Sequence, residues 1–162
     1  MPSTSRSARG PEVVGLISDT HGLLRPEAVE KLRGSRYIVH AGDIGDAAVL
    51  EALAKIAPVT AVRGNNDTGP WARKLPETAL LKVGRRRIYV IHDLAELNLD
   101  PAAERIDVVV SGHSHRPKQE MRAGVLFVNP GSAGPRRFTL PIALARLEVS
   151  ADGVRCEGIS LD

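Results

Sequence analysis

A chain of 162 residues with 43% hydrophobic and 25% charged side chains has the composition of an ordinary globular protein and enough length for one substantial core. Aromatics supply only 3% of residues, so the core falls to Val, Ile, Leu and Ala, which argues against a base-stacking surface for single-stranded nucleic acid. The formal charge of +3 suits an anionic substrate without demanding one, the lone Cys156 excludes an internal disulfide, and no apolar run approaches the roughly 20 residues of a helical membrane span.

Residues 1–11 carry hydroxyl and basic side chains without an apolar segment, so they are expected to form a flexible tail and not a signal peptide. Residues 12–162 read as a single domain of a cytoplasmic protein. Residues 13–18 are a continuous apolar run of the kind buried on both faces of a parallel sheet. Gly22-Leu23-Leu24-Arg25-Pro26 then turns the chain. Pro26 is placed for the first turn of a helix over 26–32, where Ala28, Val29 and Leu32 recur at helical spacing ahead of Gly34. A second strand over 37–41 delivers Gly42-Asp43. Asp46 is positioned to cap a helix over 47–56, whose Val49, Leu50, Leu53 and Ile56 make one stripe ended by Pro58. A third strand over 59–62 runs into Arg63-Gly64-Asn65-Asn66-Asp67. This alternation implies right-handed crossovers and a parallel sheet.

After Pro70 the pattern turns to strands. Residues 78–83 and 87–91 flank Gly84-Arg85-Arg86, a hairpin signature. A short helix is expected over 100–105, with Asp100 as N-cap and Pro101 first, followed by a buried run over 108–111. Strand pairs then follow, 120–123 with 125–128 across Gly124 and 142–149 with 154–159 across Asp152-Gly153. The expected fold is α/β, two sheets packed face to face with helices outside.

Each apolar run ends in residues that bear chemistry. Ser18-Asp19-Thr20-His21-Gly22 follows the first, Gly42-Asp43 the second and Gly64-Asn65-Asn66-Asp67 the third, while His92 ends 88–91 and Gly112-His113-Ser114-His115 follows 108–111. Strand ends are where open α/β folds place their sites. Singly, each motif has a plain alternative: a turn with a capping Asp, a tight turn, or a satisfied strand-end histidine. Asp19 and His21, two apart in an extended chain, would share a face. The two oxygens of Asp43 can bridge cations ~3.5–4 Å apart. Asn65 offers a neutral oxygen, and His113 and His115 offer imidazole, the commonest metal ligand. Together two carboxylates, one amide and four imidazoles suit a pair of divalent metals. His40, inside the second strand, is expected to pack or to orient a ligand from behind.

Asp19-x-His21, Gly42-Asp43, Gly64-Asn65, His92 and Gly112-His113-x-His115, in that order, resemble the calcineurin-like metallophosphoesterases. Val62-Arg63-Gly64-Asn65-x-Asp67 and Asn129-Pro130-Gly131-Ser132 are most similar to the small bacterial and archaeal phosphodiesterase branch, and the resemblance spans residues 13–149. It implies a four-layer sandwich of two mixed sheets and a two-metal site for Mn²⁺ first, with Ni²⁺, Fe²⁺ or Zn²⁺ as the others. Asp19, His21, Asp43 and His115 would hold one metal, and Asp43, Asn65, His92 and His113 the other. The implied reaction is hydrolysis of a phosphodiester, with phosphomonoesters second, by a hydroxide that bridges the metals and attacks phosphorus in line.

Asn66, Asp67 and Arg63 are the candidates for catalytic roles. Asn66 stands where the family commonly has a histidine thought to protonate the leaving group, and where the small branch often has cysteine. That departure predicts turnover confined to esters whose leaving group departs readily. Asp67 is alternatively an anchor of its loop, and Arg63 either a contact to substrate phosphate or a solvated arginine. Asp93 stands where the family often has glycine and would add negative charge beside the site. The implied partner is a small phosphoester, with no membrane, no nucleic acid expected and a homo-oligomer possible. The alternative is a catalytically weak scaffold that binds protein partners, since a eukaryotic retromer subunit shares this fold. Arg85-Arg86-Arg87 and Arg136-Arg137 read as solvated surface, with nucleic-acid binding as the minor alternative. Trp71 is either a shield near the site or a partner contact.

Overall fold

The computed structural model describes residues 10–162, so the expected tail lies outside the described residues except for Gly10 and Pro11, which belong to no element. Strands β1 (Glu12–Ile17), β2 (Tyr37–His40) and β3 (Val59–Ala61) run parallel, and their crossovers are the helices α1 (Pro26–Leu32) and α2 (Ala47–Ala54). A four-residue helix α3 (Pro70–Arg73) leads to β4 (Thr78–Val83), β5 (Arg86–Ile91), β6 (Val108–Val110), β7 (Lys118–Arg122), β8 (Val125–Asn129), β9 (Ala143–Ser150) and β10 (Gly153–Ser160).

Two mixed five-stranded sheets result, ordered β10-β9-β1-β2-β3 and β4-β5-β6-β8-β7. In the first, antiparallel β9 and β10 extend the parallel trio; in the second, β5, β6 and β8 are parallel while β4 and β7 pair antiparallel at the edges. The sheets pack face to face, as expected for the α/β sandwich. Val14, Leu16, Val39 and Leu147 of one meet Ile88, Val90, Val108, Val110 and Val128 of the other in a buried layer. Near-continuous β-branched runs are what strands covered on both faces require.

Helices α1 and α2 cover the outer face of the first sheet, setting Ala28, Leu32, Val49 and Leu53 against Ile17, Ile38 and Leu144. Each starts where local chemistry directs it: Pro26 at the first position of α1, and Asp46 accepting from Ala48 N at 2.9 Å at the head of α2. Trp71 and Leu75 pack into this same layer.

The outer face of the second sheet has a thinner cover. A 3₁₀ turn, Leu94–Glu96, and the segment after it set Leu94, Leu97 and Leu99 against Ile91, Ile106, Val109 and Val125. The helix expected over 100–105 does not form. Asp100 does accept from Ala102 N at 3.1 Å, but the chain makes only successive turns, and Arg105 at φ 59° ends them. Six residues cannot offset the cost of nucleating a helix without an apolar stripe to dock. Among the described residues no helix is long and apolar enough to cross a membrane.

Candidate metal centre

The loops leaving β1 and β2 are held as one unit. Asp19 N donates to Gly42 O (3.0 Å), His21 N to Asp43 O (3.0 Å) and Gly22 N to Ile44 O (2.7 Å), continuing the parallel ladder beyond both strands. The convergence of Asp19 and His21 is not that of an extended strand. Asp19 (φ 55°), His21 (47°), Asp43 (56°), His113 (73°) and His115 (65°) all occupy the left-handed region, which L-residues adopt at a cost. Such backbone persists only where the surroundings over-determine it, and strain of on the order of 1 kcal/mol per residue clusters at functional sites.

Two interlocking groups result. Asp19, His21 and His115 bring one ligand atom each within 4.8 Å of one another, and so do Asp19, Asp43 and His92. His115 Nε2 lies 3.4 Å from Asp19 Oδ1, while Asp43 Oδ2 lies 3.9 Å from His21 Nε2 and 3.3 Å from His92 Nε2. Asn65 Oδ1 completes the second group, 3.0 Å from His92 Nε2 and 3.2 Å from His113 Nδ1. The Asp19 and His115 side is buried, whereas Asn65 and His113 are exposed, so the centre opens to solvent on one side.

The donor set suits divalent cations. His92 Nδ1 lies 2.7 Å from Ala41 O, so that nitrogen carries the proton and the Nε2 lone pair faces two oxygens, Asn65 Oδ1 and Asp43 Oδ2. Three acceptors converging are satisfied by a positive charge between them, which a cation supplies and which a proton on Nε2 supplies in its place. On the other side Asp19 Oδ1, His21 Nε2 and His115 Nδ1 are buried without a hydrogen-bond partner among the described residues. Buried polar atoms are seldom left unpaired, and a cation would satisfy the first two.

The titration behaviour reflects the same crowding. Burial would raise the Asp43 carboxyl, but the His92 ring beside it and hydrogen bonds from Asn66 hold it well below the usual carboxylate range. Burial works to lower His92, yet its contacts with Asp43 and the Ala41 carbonyl leave it raised. Burial raises Asp19, against the opposing hydrogen bond from Ser18, and lowers His115.

Close approach sets the geometry from behind. A Cβ on Gly64 would stand 2.1 Å from Asp43 N, and one on Gly112 would stand 2.1 Å from Ser18 Oγ and 2.6 Å from Asp19 Oδ2. Residues without a role in the motif reading also hold the site. Ser18 Oγ donates to Asp19 Oδ2 at 2.6 Å, as does His113 N at 3.1 Å. Asn129 Nδ2 donates to Gly112 O at 3.0 Å, and Ser132 Oγ donates to Asp19 O at 3.0 Å. Ser18 adjoins Asp19 in sequence, whereas Ser132 reaches Asp19 from the other sheet and Asn129 braces Gly112 from the neighbouring strand β8. His40 is fully buried: Nδ1 accepts from Gly42 N (3.1 Å), so Nε2 donates to Thr20 Oγ1 (3.0 Å), which donates to Ile44 O (2.8 Å).

Asn66, Asp67 and Arg63 part company. Asn66 reaches the centre, donating from its backbone N–H to Asp43 Oδ1 at 2.9 Å. Asp67 faces the backbone instead, accepting from Ile44 N (3.1 Å), Gly45 N (2.9 Å) and Gly64 N (2.8 Å). Both of its oxygens are taken, which is the geometry of a loop anchor. The Arg63 guanidinium pairs with Glu77 Oε2 at 2.8 Å and donates to Leu75 O at 3.3 Å, so it is engaged away from the ligand atoms. Asp93 likewise turns out of the centre, receiving Ala95 N at 3.0 Å and facing the outer His113 Nε2 at 3.9 Å.

Comparison with known proteins agrees with this geometry. Residues 13–152 match the family model described as the calcineurin-like phosphoesterase superfamily domain. A probable metallophosphoesterase of Methanocaldococcus jannaschii is 35% identical over 136 residues, covering 76% of this chain and 69% of the relative. The phosphodiesterase YfcE of Escherichia coli is 33% identical over 163 residues, covering 81% of this chain and 84% of the relative. In fold, Vacuolar Protein Sorting 29 from Cryptosporidium parvum superposes with a TM-score of 0.75 at 19% identity, over 94% of this chain and 99% of its own. The chain belongs to the calcineurin-like phosphoesterase superfamily.

Proposed function

We propose that the chain is a hydrolase of phosphodiesters, with phosphomonoesters as secondary substrates, that works with two divalent cations, Mn²⁺ foremost. The observation that carries this reading is one carboxylate oxygen within reach of an imidazole from each group: Asp43 Oδ2 lies 3.9 Å from His21 Nε2 and 3.3 Å from His92 Nε2. Asp19, His21, Asp43 and His115 would hold one cation, and Asp43, Asn65, His92 and His113 the other. When bound, the cations supply the charge that activates water for in-line attack and that neutralises the phosphate oxygens.

The protein's own contribution is placement. Ala41 O holds the His92 proton on Nδ1 and so aims Nε2 inward. Ser18 Oγ and His113 N keep Asp19 Oδ2 engaged, which leaves Oδ1 facing the centre. Asp67 acts by fixing the loops of Asp43 and Asn65 to each other and not by touching substrate. Asn66 can donate a hydrogen bond but not a proton, so the leaving group departs without general acid help. Aryl esters therefore suit the site best.

The test is elemental analysis of the purified protein together with hydrolysis of a bis-aryl phosphodiester in Mn²⁺. Activity that disappears in Asp43→Ala is the expected result. Absence of turnover with Mn²⁺ or Ni²⁺, or an Asp43→Ala variant equal to the parent, would overturn the assignment. Asn66 also keeps a second reading in view, a scaffold of the same fold. Bound metal without turnover, together with a co-purifying protein partner, is the outcome that favours it.

A further inference from the structure

The ends of β5 and β6 remote from the ligand loops gather positive charge around one cavity. Arg87 lies on the outer face of the second sheet, because Ile88 and Val90 take the inner face and Tyr89 and Ile91 the outer one. Arg87 N donates to Asp107 Oδ2 at 2.8 Å and Asp107 N donates to Arg87 O at 2.9 Å, which fastens the start of β6 to the start of β5. Ile106 is buried under the same face and its N donates to Pro101 O at 2.9 Å, so the turn carrying Glu104 and Arg105 is pinned alongside. Arg85, Arg87, Ala103, Glu104, Arg105 and Asp107 thereby line a cavity of about 580 Å³. Lys82 is the direct cross-strand partner of Arg87.

The acids nearby do not cancel this charge. Asp107 is taken by Arg86, whose guanidinium reaches its Oδ1 at 3.4 Å and also donates to Ser150 O at 3.4 Å and Ala151 O at 3.0 Å. Glu104 is the one acid left at the cavity. Among the described residues the side chains of Lys82, Arg85, Arg87 and Arg105 have no hydrogen-bonded or ion-paired partner, and Arg87 Nε is buried without one. Residues 1–9 contain two arginines and no acid, so they bring no counter-charge. Like charges directly opposite across an antiparallel pair oppose folding, and a buried guanidinium N–H calls for an acceptor.

We propose that this cavity is a second ligand site, one that binds the phosphate chain of a diphosphate or triphosphate anion through Arg87 and Arg105. A guanidinium presents its N–H groups in a fork that matches phosphate oxygens. The lining holds no aromatic ring and only Ala103 as an apolar residue, so the recognised part is the charged chain and not a base or an alkyl group. A volume of about 580 Å³ has room for more than one phosphate group and lies in the range of small-ligand sites. His92 follows Arg87 by five strand residues, ~16 Å, so one such anion does not touch both this cavity and the metal centre. The inference is independent of the phosphoesterase reading.

The test is calorimetric titration of pyrophosphate into the full chain, stripped of metal by a chelator and then desalted. One molecule is expected to bind per chain. Arg87→Gln and Arg105→Gln should each weaken binding about tenfold, Arg87→Lys should recover part of the loss, and Glu104→Gln should tighten binding. Arg155→Gln removes the same charge from an exposed arginine of β10 paired to Glu148 and should change nothing. Asp43→Ala should bind as the parent does, because the anion does not sit at the metal centre. Adenosine diphosphate, with adenosine as its control, identifies the source of the phosphate chain. Affinity equal to or weaker than that of pyrophosphate assigns a free diphosphate, and tighter binding assigns a nucleotide. No binding at millimolar pyrophosphate, or binding that Arg105→Gln leaves intact, refutes the site. An equal loss in Arg155→Gln, a loss in Asp43→Ala, or adenosine binding as tightly as its diphosphate refutes it too. Arg105 is exposed, so its variant decides the matter even where Arg87→Gln fails to fold. Each of these failures leaves the phosphoesterase reading standing.

Discussion

Asn66 donates twice to Asp43, from its backbone N–H to Oδ1 at 2.9 Å and from Nδ2 to Oδ2 at 3.1 Å. Asn66 is thereby engaged with Asp43, the carboxylate proposed to serve both cations. Replacing it by histidine restores a group able to protonate a leaving group, and general acid catalysis commonly contributes about a hundredfold or more. Asn66→His is expected to raise kcat on alkyl phosphodiesters at least about tenfold while changing aryl turnover little. A leaving-group series measures this directly, and an unchanged slope across it would show that the position carries no proton.

Metal binding should be visible in stability as well as in activity. Asp19 Oδ1 and His21 Nε2 have no hydrogen-bond partner among the described residues, so a bound cation relieves buried, unsatisfied atoms. At a free metal concentration of 100 times Kd the stabilisation is about 2.7 kcal/mol. For a chain of this size that corresponds to a Tm increase of roughly 5–10 °C. Thermal melts with Mn²⁺ and with chelator measure it. Asp43→Asn should lose most of the increase, and equal Tm values with and without metal would contradict the centre.

Two glycines should behave unlike a third. Gly64 and Gly112 face backbone and site atoms at 2.1 Å from a built Cβ, whereas Gly158 in β10 has nothing within 4 Å. Gly64→Ala and Gly112→Ala are expected to cost about 1–3 kcal/mol and to reduce metal content, because Asp43 and Asp19 must shift. Gly158→Ala should be close to neutral in both readouts. Denaturant titration with elemental analysis checks all three.

His40 gives a pH dependence with a defined sign. Burial, with the charge of His92 second, lowers its pKa from the ordinary 6.5 to about 3. As the pH falls, the unfolded chain takes up this proton first, so the contribution to stability is complete above pH 6.5 and is lost progressively toward pH 3. One such group supplies a slope of at most about 1.4 kcal/mol per pH unit, or about 2 kcal/mol between pH 6.5 and pH 5. Denaturation of chelated protein at the two pH values should show a smaller loss for His40→Gln than for the parent. Equal losses would mean that the proton is not excluded from this position.

How much of this was legible before folding differs from element to element. The helix at 26–32 was readable because Pro26 and the spacing of Ala28 and Leu32 act locally, and the cap on α2 because Asp46 reaches only two residues ahead. The helix expected at 100–105 had its N-cap but no apolar stripe, and the cap alone was insufficient. Asp67 illustrates the limit within the site. An acid beside Asn65 and Asn66 looks available for chemistry until three amides from two loops are found to occupy it.

The sequence by itself determined the identity of the chemical groups and their positions at the ends of apolar runs, because strand burial and turn preference are written in nearest neighbours. Which oxygen faces which imidazole was decided only by the tertiary structure. Gly112 against Ser18, Ser132 against Asp19 and Asn65 between His92 and His113 are contacts across the two sheets, set by how those sheets pack. The left-handed backbone at five of the site residues has the same origin. No local preference favours it, and only the packing around the loops holds it in place.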